Sequence, residues 1–344
     1  MVLKQLTDLR GVSGNEHAVR EFIMNHIAPL ADDVRVDRMG NVIAVKKGTD
    51  PRAERTLLCA HMDEVGMIVQ GIGDDGLISY QTVGGIDSRV VVSKRVLVGE
   101  KAVPGVIGAK AIHLQSREEM QRVLSHKDLY IDIGAKDKAS AERLVKPGDY
   151  VSFDSKWVEF GDHMVKAKAL DDRVGCFTLM RVLEKRYPGD VICAFTTQEE
   201  VGLRGAKVIG FQVEAHRALV LEGTTANDLG DIEDHLKVCV PGKGVALSFM
   251  DRASIGHRGL FEALRRTAVE KGIKWQLKNF VSGGNDAGAI QSARGGMPTG
   301  VLSVPCRYIH SSSSVASLND VESQYALTDA FLSSGVRICD DLRN

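Results

Sequence analysis

Five side chains of the metal-binding type stand in short motifs spread along this 344-residue chain. They are His61 in HMDEVG, Asp171 in ALDDRVG, Glu200 in TTQEEVG, Glu222 in VLEGTT and His310 in RYIHS. Two imidazoles and three carboxylates can hold two divalent cations side by side, with one carboxylate bridging and each cation keeping one histidine and one further carboxylate. Glu199, directly before Glu200, is then free to act as a base. This set predicts a hydrolase with two metal ions.

Each motif taken alone has an ordinary structural explanation. Asp171 begins a predicted helix, where a carboxylate commonly caps the N-terminus and complements the helix dipole. Glu199 and Glu200 alone would indicate a solvated acidic turn. In the company of the other ligands, Asp171 is the predicted bridging carboxylate, because its two oxygens can face two cations roughly 3.5–4 Å apart. Asp63, two residues after His61, is placed to accept the second ring N–H of that histidine.

Four of the five candidates, all except Asp171, are predicted at the ends of apolar strands: TLLCAH, VICAFTT, RALVLEG and TGVLSVP. Ligands collect at the carboxyl ends of strands in α/β sheets, so we expect these side chains to converge. A carboxylate that closes a buried strand, as Glu222 does, is costly unless it is paired or binds metal. Adjacent side chains point apart in extended backbone, so one of Glu199 and Glu200 can face a metal while the other faces water.

The elements around these motifs alternate between helix and strand. Ser13, with Glu16 three residues later, has the signature of a capping box before a helix in GVSGNEHAVREFIMNHIAPL. Further helices are predicted over DDRVGCFTLMRVLEKRY, GLRGAKVIGF, RGLFEALRRTAVEKG and about DVESQYALTDAFLSSGVRI. The third of these has Leu260, Leu264 and Val269 on one side. Strands alternating with helices favour an α/β layered sheet.

Residues 67–162 differ from the rest of the chain because they are dense in glycine and valine. Runs such as GMIVQGI, LISYQTV, RVLVG, LYIDIGA and YVSFD predict many short strands with tight turns, in a small β-barrel or sandwich. KASAERLV is the only helical stretch expected there. We therefore predict a discontinuous catalytic α/β domain at residues 1–66 and 163–344, interrupted by an inserted β-rich domain at residues 67–162.

The composition restricts the classes of partner. The chain is 44% hydrophobic and 26% charged, with a formal net charge of -1 and no cluster of basic residues, so nucleic acid and anionic membranes are not expected partners. No run approaches the roughly 18 apolar residues of a spanning helix, and the N-terminus lacks the features of a signal peptide. The cysteines are scattered without CxxC spacing, which indicates reduced, buried thiols in a cytoplasmic protein. They are Cys59, Cys176, Cys193, Cys239, Cys306 and Cys339.

In combination, these motifs resemble the tetrahedral (TET) metallo-aminopeptidase family, which includes deblocking and glutamyl aminopeptidases. The similarity covers essentially the whole chain, with HMDEVGMIV, GVIGAKAIH, KPGDYVSFD, KALDDRVGC, TTQEEVGLRGA, GGNDAGAIQ and PCRYIHS in the expected order. It implies a three-layer α/β/α metallopeptidase domain with an inserted small β-barrel or PDZ-like dimerisation domain. It also implies Glu199 as general base and two ligand triplets that share Asp171, namely His61, Asp171 and Glu222, and Asp171, Glu200 and His310.

The resemblance further implies a homo-oligomer, typically a tetrahedral dodecamer built from dimers, and a cis peptide bond between Asp171 and Asp172. Two positions depart from the common family pattern. Many relatives have Asp at the position of Glu222, and Thr is common at the position of Asn285. Of the metals that suit carboxylate and imidazole ligands, zinc is favoured, with cobalt and manganese as alternatives.

The predicted reaction is the release of N-terminal residues from short peptides by a metal-activated water, with Glu199 as general base. Another dinuclear-metal amidase or deacylase would use the same ligands and differ only in its specificity pocket. A glycosidase needs two carboxyls flanking one bond, roughly 5–9.5 Å apart, which fits adjacent glutamates poorly and leaves both histidines unexplained. A spare base beside a full ligand set argues against a non-catalytic scaffold. The preferred N-terminal residue is left open.

Overall fold

The computed structural model describes residues 1–338. The α-helices in that range are α1 (Val2–Asp8), α2 (His17–Ile27), α3 (Arg117–Gln121), α4 (Lys138–Glu142), α5 (Leu170–Val182), α6 (Arg204–Gln212), α7 (Arg258–Glu270), α8 (Ala287–Gln291) and α9 (Leu318–Ser334). The strands up to the middle of the chain are β1 (Asp33–Val36), β2 (Val42–Lys46), β3 (Thr56–His61), β4 (Gly66–Ile72), β5 (Ile78–Val83), β6 (Arg95–Val98), β7 (Val103–Ala109), β8 (Leu129–Asp132) and β9 (Tyr150–Phe153). The later strands are β10 (Val158–Phe160), β11 (Met164–Ala167), β12 (Val191–Thr196), β13 (Arg217–Thr225), β14 (Val245–Ser248), β15 (Trp275–Leu277), β16 (Thr299–Arg307) and β17 (Ser314–Ser317).

A large mixed sheet forms the centre of the molecule. Its strand order is β1-β2-β12-β3-β13-β16-β17-β11-β10, and β14 pairs with both β16 and β15. The four central strands β12, β3, β13 and β16 run parallel to one another. Their carboxyl ends therefore lie at one edge of the sheet, which we call the carboxyl edge.

Helices cover both faces of this sheet. Along β3, Leu58 and Ala60 pack into a core that contains residues of α1, α2, α5, α7 and α9, whereas Leu57 and Cys59 pack with α6 and α8. Successive side chains of a strand point to opposite faces, so a strand between two helical layers is apolar throughout, and every residue of β3 is buried. The predicted three-layer α/β/α architecture is confirmed.

The predicted small β-barrel is also present. Strands β4-β5-β8-β7-β6-β9, which span residues 66–153, form a closed barrel through antiparallel pairs. Closure removes the exposed edges of the sheet and encloses an apolar core of its own. Strand β10, which the sequence analysis included in the insert, pairs instead with β11 of the large sheet. Its three residues are all exposed, so burial against a core does not mark the strand as part of the large sheet.

The capping box predicted at Ser13 is wrong. Helix α2 starts at His17 after an N-cap residue, Glu16, that makes no side-chain cap hydrogen bond. The Ser13 hydroxyl donates instead to Asp63 Oδ2 at 2.6 Å. The Ser13 hydroxyl therefore bonds to Asp63, which is distant in sequence, and not to the backbone at the start of α2.

The helix content of the insert was also underestimated, and the grouping of Val269 with Leu260 and Leu264 on one side of a helix is wrong. Besides α4, which lies in the predicted KASAERLV stretch, the insert contains α3. Ser116 and Glu119 form a capping box at the start of α3. On α7, Leu260 and Leu264 are buried, whereas Val269 is 59% exposed.

Two further expectations concern the chain as a whole. None of the helices over residues 1–338 combines the length and apolar character that crossing a membrane requires. The predicted buried thiols are confirmed for Cys59, Cys176, Cys193, Cys239 and Cys306. Cys339 lies outside the described residues.

Candidate active site

The structure brings the five predicted metal-type side chains together at the carboxyl edge. His61 is the last residue of β3, Glu200 follows β12, and His310 follows β16. Glu222 lies within β13 rather than at its end, because that strand continues to Thr225. The prediction of a strand-terminal Glu222 is therefore wrong in detail, although its side chain reaches the same edge.

Asp171 lies between two pairs of these side chains. His61 Nε2 is 3.5 Å from Asp171 Oδ1 and 3.7 Å from Glu222 Oε2. His310 Nε2 is 3.7 Å from Asp171 Oδ2 and 3.3 Å from Glu200 Oε2. Atoms bound to one cation at about 2.1 Å in tetrahedral geometry lie roughly 3.4 Å apart. The separations thus suit two adjacent cations, with one oxygen of Asp171 directed to each.

The electrostatics of the site also fit divalent cations. Glu222 Oε1 is buried and accepts no hydrogen bond from any described residue. Burial, followed by the neighbouring charge of Asp172, raises the pKa of Glu222 well above its usual range. Burial likewise raises the pKa of Glu200 to about 7. A bound cation would both occupy the free lone pair and offset the repulsion among these carboxylates.

The position of Asp171 is fixed by its neighbours. The Gly223 backbone N–H donates to Asp171 Oδ1 at 3.2 Å. A Cβ at Gly223 would stand 2.9 Å from the Cβ of Asp171, so only glycine permits this approach. Asp172 accepts hydrogen bonds from the backbone N–H groups of His61 at 3.1 Å and Gly175 at 3.0 Å. The peptide bond between Asp171 and Asp172 is cis, as predicted.

Asp63 connects His61 to the turn that follows β12. His61 Nδ1 lies 3.1 Å from the backbone carbonyl oxygen of Asp63 and 3.5 Å from its Oδ1. The same carboxylate accepts hydrogen bonds from the backbone N–H groups of Glu199 at 3.0 Å and Glu200 at 3.1 Å, besides that from Ser13. Asp63 thus holds the imidazole through its backbone carbonyl and the backbone of both glutamates through its carboxylate. Sequence reasoning predicted the side-chain carboxylate of Asp63 as the partner of the His61 ring, whereas the hydrogen bond is made to the backbone carbonyl, and it missed the other three contacts.

Glu199 stands in a turn rather than in the extended backbone that was expected. Its carbonyl oxygen accepts hydrogen bonds from Gly202 and Leu203, both at 2.9 Å. A carboxylate oxygen of Glu199 and ligand atoms of His61 and Glu200 lie within 4.8 Å of one another. Burial raises the pKa of Glu199 well above its usual range, although the charge of His61 opposes this. The two glutamates therefore face the same site, so the prediction that their side chains point apart is wrong. Glu199 is not a member of either triplet around Asp171.

These side chains line part of a cavity of about 440 Å³. The remaining lining comes from residues of β13 and β16, from the loop at residues 282–285, and from the single residues Gly85, Leu203, Lys278 and Ile309. Asn285, one of the two departures from the family pattern, donates to Asp251 Oδ2 at 3.0 Å and accepts from the Ala287 N–H at 2.9 Å. Lys278 was missed by sequence reasoning, because no motif surrounds it.

Comparison with known proteins gives consistent matches along most of the chain. A model of the M42 glutamyl aminopeptidase family matches residues 40–327. A relative from Acetivibrio thermocellus that is named as an aminopeptidase is 36% identical over 328 residues, which cover 95% of this chain and 96% of the relative.

Solved structures of related peptidases have a similar fold over nearly the whole chain. The TET aminopeptidase from the marine sediment archaeon Thaumarchaeota archaeon SCGC AB-539-E09 is similar with a TM-score of 0.93 and 35% identity, over 96% of this chain and 95% of that one. The Pyrococcus horikoshii TET1 peptidase, which can assemble into a tetrahedron or a large octahedral shell, gives a TM-score of 0.85 and 36% identity, over 96% and 98% of the two chains.

Proposed function

The chain belongs to the M42 glutamyl aminopeptidase family and is a metal-dependent aminopeptidase, and we propose that the site at the carboxyl edge carries out its reaction with two divalent cations. The observation that supports this is the pair of ligand triplets that share Asp171. His61 and Glu222 would complete one triplet, and Glu200 and His310 the other. Zinc is the proposed metal, with cobalt and manganese as alternatives.

Glu199 is the proposed general base. The two triplets would hold the cations, which when bound would supply a water of lowered pKa and polarise a carbonyl group. Glu199 accepts the proton of that water and delivers it to the leaving amine, which frees the N-terminal residue of a short peptide. Asp63 is the proposed positioning residue, since it holds both His61 and the backbone of Glu199.

The proposal includes assembly of the chain into a homo-oligomer, with the predicted domain at residues 67–162 as the dimerisation domain. The segment between β7 and β8 exposes Ile112, Leu114, Met120 and Val123, each by at least 50%. Four large apolar side chains exposed within one short segment support the proposal that this segment contacts another subunit. A tetrahedral dodecamer, like the tetrahedron of the Pyrococcus horikoshii relative, is the proposed assembly. A charged pair of substitutions, Ile112→Lys with Leu114→Glu, should lower the mass measured by light scattering.

The proposed compartment is the cytoplasm. The five described cysteines are free and buried, as expected for a reducing environment.

The function is tested by metal restoration. Chelated protein is assayed on aminoacyl p-nitroanilides and short peptides after addition of Zn²⁺, Co²⁺ or Mn²⁺. We expect release of one residue at a time from free N-termini, and none from acetylated peptides. Cleavage of acetylated peptides alone would favour the amidase or deacylase alternative. Binding of two metals per chain without cleavage of any substrate would overturn the proposed activity.

A further inference from the structure

We infer that a groove between α6 and α8 binds the part of the peptide that leaves after cleavage, and that it favours apolar residues after the scissile bond. The groove encloses a cavity of about 300 Å³. Leu203 lines both this cavity and the one that contains the two ligand triplets. The inference rests on the proposed function, because it assigns the groove to the substrate of that site.

The walls of the groove continue those of the active-site cavity. On one side, the chain passes from Glu199 in the active site to Leu203, and then into α6, where Lys207 and Phe211 line the groove. On the other side, the loop at residues 282–285 lines the active-site cavity and leads into α8, which lines the groove. A substrate bound at the triplets can therefore extend into the groove between the same two segments of chain.

The position of Glu199 indicates which part of the substrate the groove receives. As the proposed general base, Glu199 delivers a proton to the leaving amine, so the leaving peptide lies beside this carboxylate. Glu199 and Leu203 belong to one turn, in which the Leu203 N–H donates to the Glu199 carbonyl at 2.9 Å. The leaving peptide therefore passes Leu203 and enters the groove, while the first residue of the substrate stays at the triplets.

The groove presents apolar surface to solvent. Leu203, Lys207 and Phe211 are spaced by four residues and therefore share one face of α6. Phe211 is 63% exposed, although another face of α6 packs into the core through Ala206 and Ile209. Lys207 is exposed, so its aliphatic part can cover the groove wall while the ammonium group stays in water. An apolar side chain of the peptide would bury part of this surface, which favours binding.

Tight packing fixes the floor of the groove. A Cβ at Gly210 of α6 would stand 2.5 Å from the Cβ of Ala293, so the chain approaches α6 too closely here to admit a larger residue. Ala293 and Ala289, one helical turn earlier, both line the groove. Because the floor is packed without a ligand, the groove is formed before the peptide arrives, and the entropy cost of binding is lower.

The length of the groove sets how much of the peptide it holds. Leu203 and Phe211 are eight residues apart along α6. A helix rises about 1.5 Å per residue, so the groove extends about 12 Å between them. An extended peptide advances about 3.4 Å per residue and needs about three to four residues to cover that distance. With the second residue of the substrate beside Leu203, the fifth or sixth residue lies near Phe211.

The first test varies the residue after the scissile bond. Amidated hexapeptides keep the N-terminal residue that the wild type cleaves best, carry Leu or Asn at the second position, and have Gly elsewhere. The wild type should prefer Leu about 10-fold in kcat/KM, and Leu203→Ala should remove most of this preference. Leu203→Asn, which suits the left-handed φ of 58° at this position, should do the same. Leu144→Ala, at an exposed position of the insert, is the matched control.

The second test examines the far end of the groove. Hexapeptides of the same design carry Leu or Asn at both the fifth and the sixth positions. Phe211→Ala should lower the preference for Leu there about fivefold, because part of the apolar contact is lost. The preference at the second position should not change. Phe160→Ala, at another exposed phenylalanine outside both cavities, should change neither preference.

Three results would overturn the inference. One is a wild type that releases N-terminal residues equally well whatever the polarity of the second residue. Another is a preference that persists in both Leu203 variants. The last is a lower mass of Phe211→Ala by light scattering, which would show that another subunit covers the groove. Failure of the wild type to release a residue from any peptide would instead count against the proposed function.

Discussion

The interior of the inserted barrel and the carboxyl edge of the large sheet bury opposite kinds of side chain. The barrel interior is apolar, with residues such as Met67, Ile107 and Ile131 that are inaccessible to solvent. The carboxyl edge buries His61 and Glu222, each exposed by 4% or less. Apolar burial stabilises the barrel directly, whereas each buried charge at the edge needs a compensating partner. The barrel therefore contributes mainly stability, and the edge contributes chemistry at some cost in stability.

The largest expected effect lies at the edge, in Glu199→Gln. If Glu199 is the general base, kcat/KM should fall about 10²–10⁴-fold while the metal content stays the same. The free energy of unfolding should not fall, because an amide is cheaper to bury than a carboxylate. Steady-state kinetics and metal analysis check the two parts. Glu142→Gln, at the end of α4 in the insert, is the matched control and should leave the kinetics unchanged. Near-normal activity in Glu199→Gln would show that the base is assigned wrongly.

In the barrel, Ile131→Ala should lower stability and leave catalysis unchanged, the opposite of what is expected for Glu199→Gln. Loss of this buried side chain should lower the free energy of unfolding by about 2–5 kcal/mol, while the kcat/KM of the folded enzyme stays the same. Urea unfolding followed by kinetics below the transition measures both. Val106→Ala, at a position 44% exposed on the same barrel, should change stability by less than about 0.5 kcal/mol. A fall in kcat/KM for Ile131→Ala would mean that the two regions are coupled more tightly than their separate cores indicate.

Bound metal should stabilise the carboxyl edge of the large sheet and not the barrel. At a free concentration 100 times its Kd, a cation that binds only the folded chain adds about 2.7 kcal/mol to the free energy of unfolding. Hydrogen exchange should locate the added protection in β3, β12 and β13, and not in the barrel strands. Glu222→Gln should reduce it, because one ligand charge is lost. If metal protected the amides of the barrel strands as strongly as those of β3, β12 and β13, the two regions would not differ in their response to metal.

The smallest expected effect comes from exposed ion pairs, for which the large sheet and the insert should behave alike. At the surface of the large sheet, Arg186 lies 2.7 Å from Asp32, and at the surface of the insert, Arg122 lies 2.8 Å from Asp128. These arginines hold the pKa of each aspartate at about 2. A lowered pKa gives stability that is present above the usual carboxyl value of about 3.9 and is lost as the pH falls towards 2.

Both surface pairs are exposed, so each should contribute little. Asp32→Asn and Asp128→Asn should lower the urea midpoint slightly at pH 7. The difference from wild type should shrink as the pH falls below the usual carboxyl pKa of about 3.9 and disappear only below the folded-state pKa of about 2. A large effect of only one of them would show that this pair is part of a wider network.

Much of the site was predictable because its ligands follow apolar runs. Parallel strands share a carboxyl edge, so His61, Glu200 and His310 could be placed together once their strands were recognised. Lys278 could not be found this way. It lines the cavity because β15 pairs with β14, and no sequence pattern around WQLK indicates that partner.

Local signals failed where a distant residue competed for the same group. Ser13 and Ser116 are each followed three residues later by glutamate, and only Ser116 caps a helix. The hydroxyl of Ser13 is taken by Asp63, 50 residues away. The same carboxylate also binds two backbone N–H groups that no spacing rule could have assigned to it.

The closed barrel has a consequence for how the chain finds its fold. Strand β3 pairs with β12, which enters the sequence only after the whole insert has been made. Bringing distant segments together costs more entropy as the intervening loop lengthens. In the barrel, however, Met67 pairs with Val151, so the two chain ends of the insert leave it side by side. Once the barrel has closed on its own contacts, the effective length of the loop between His61 and Asp171 is much shorter. The entropy cost of bringing these two residues of the active site together is then lower.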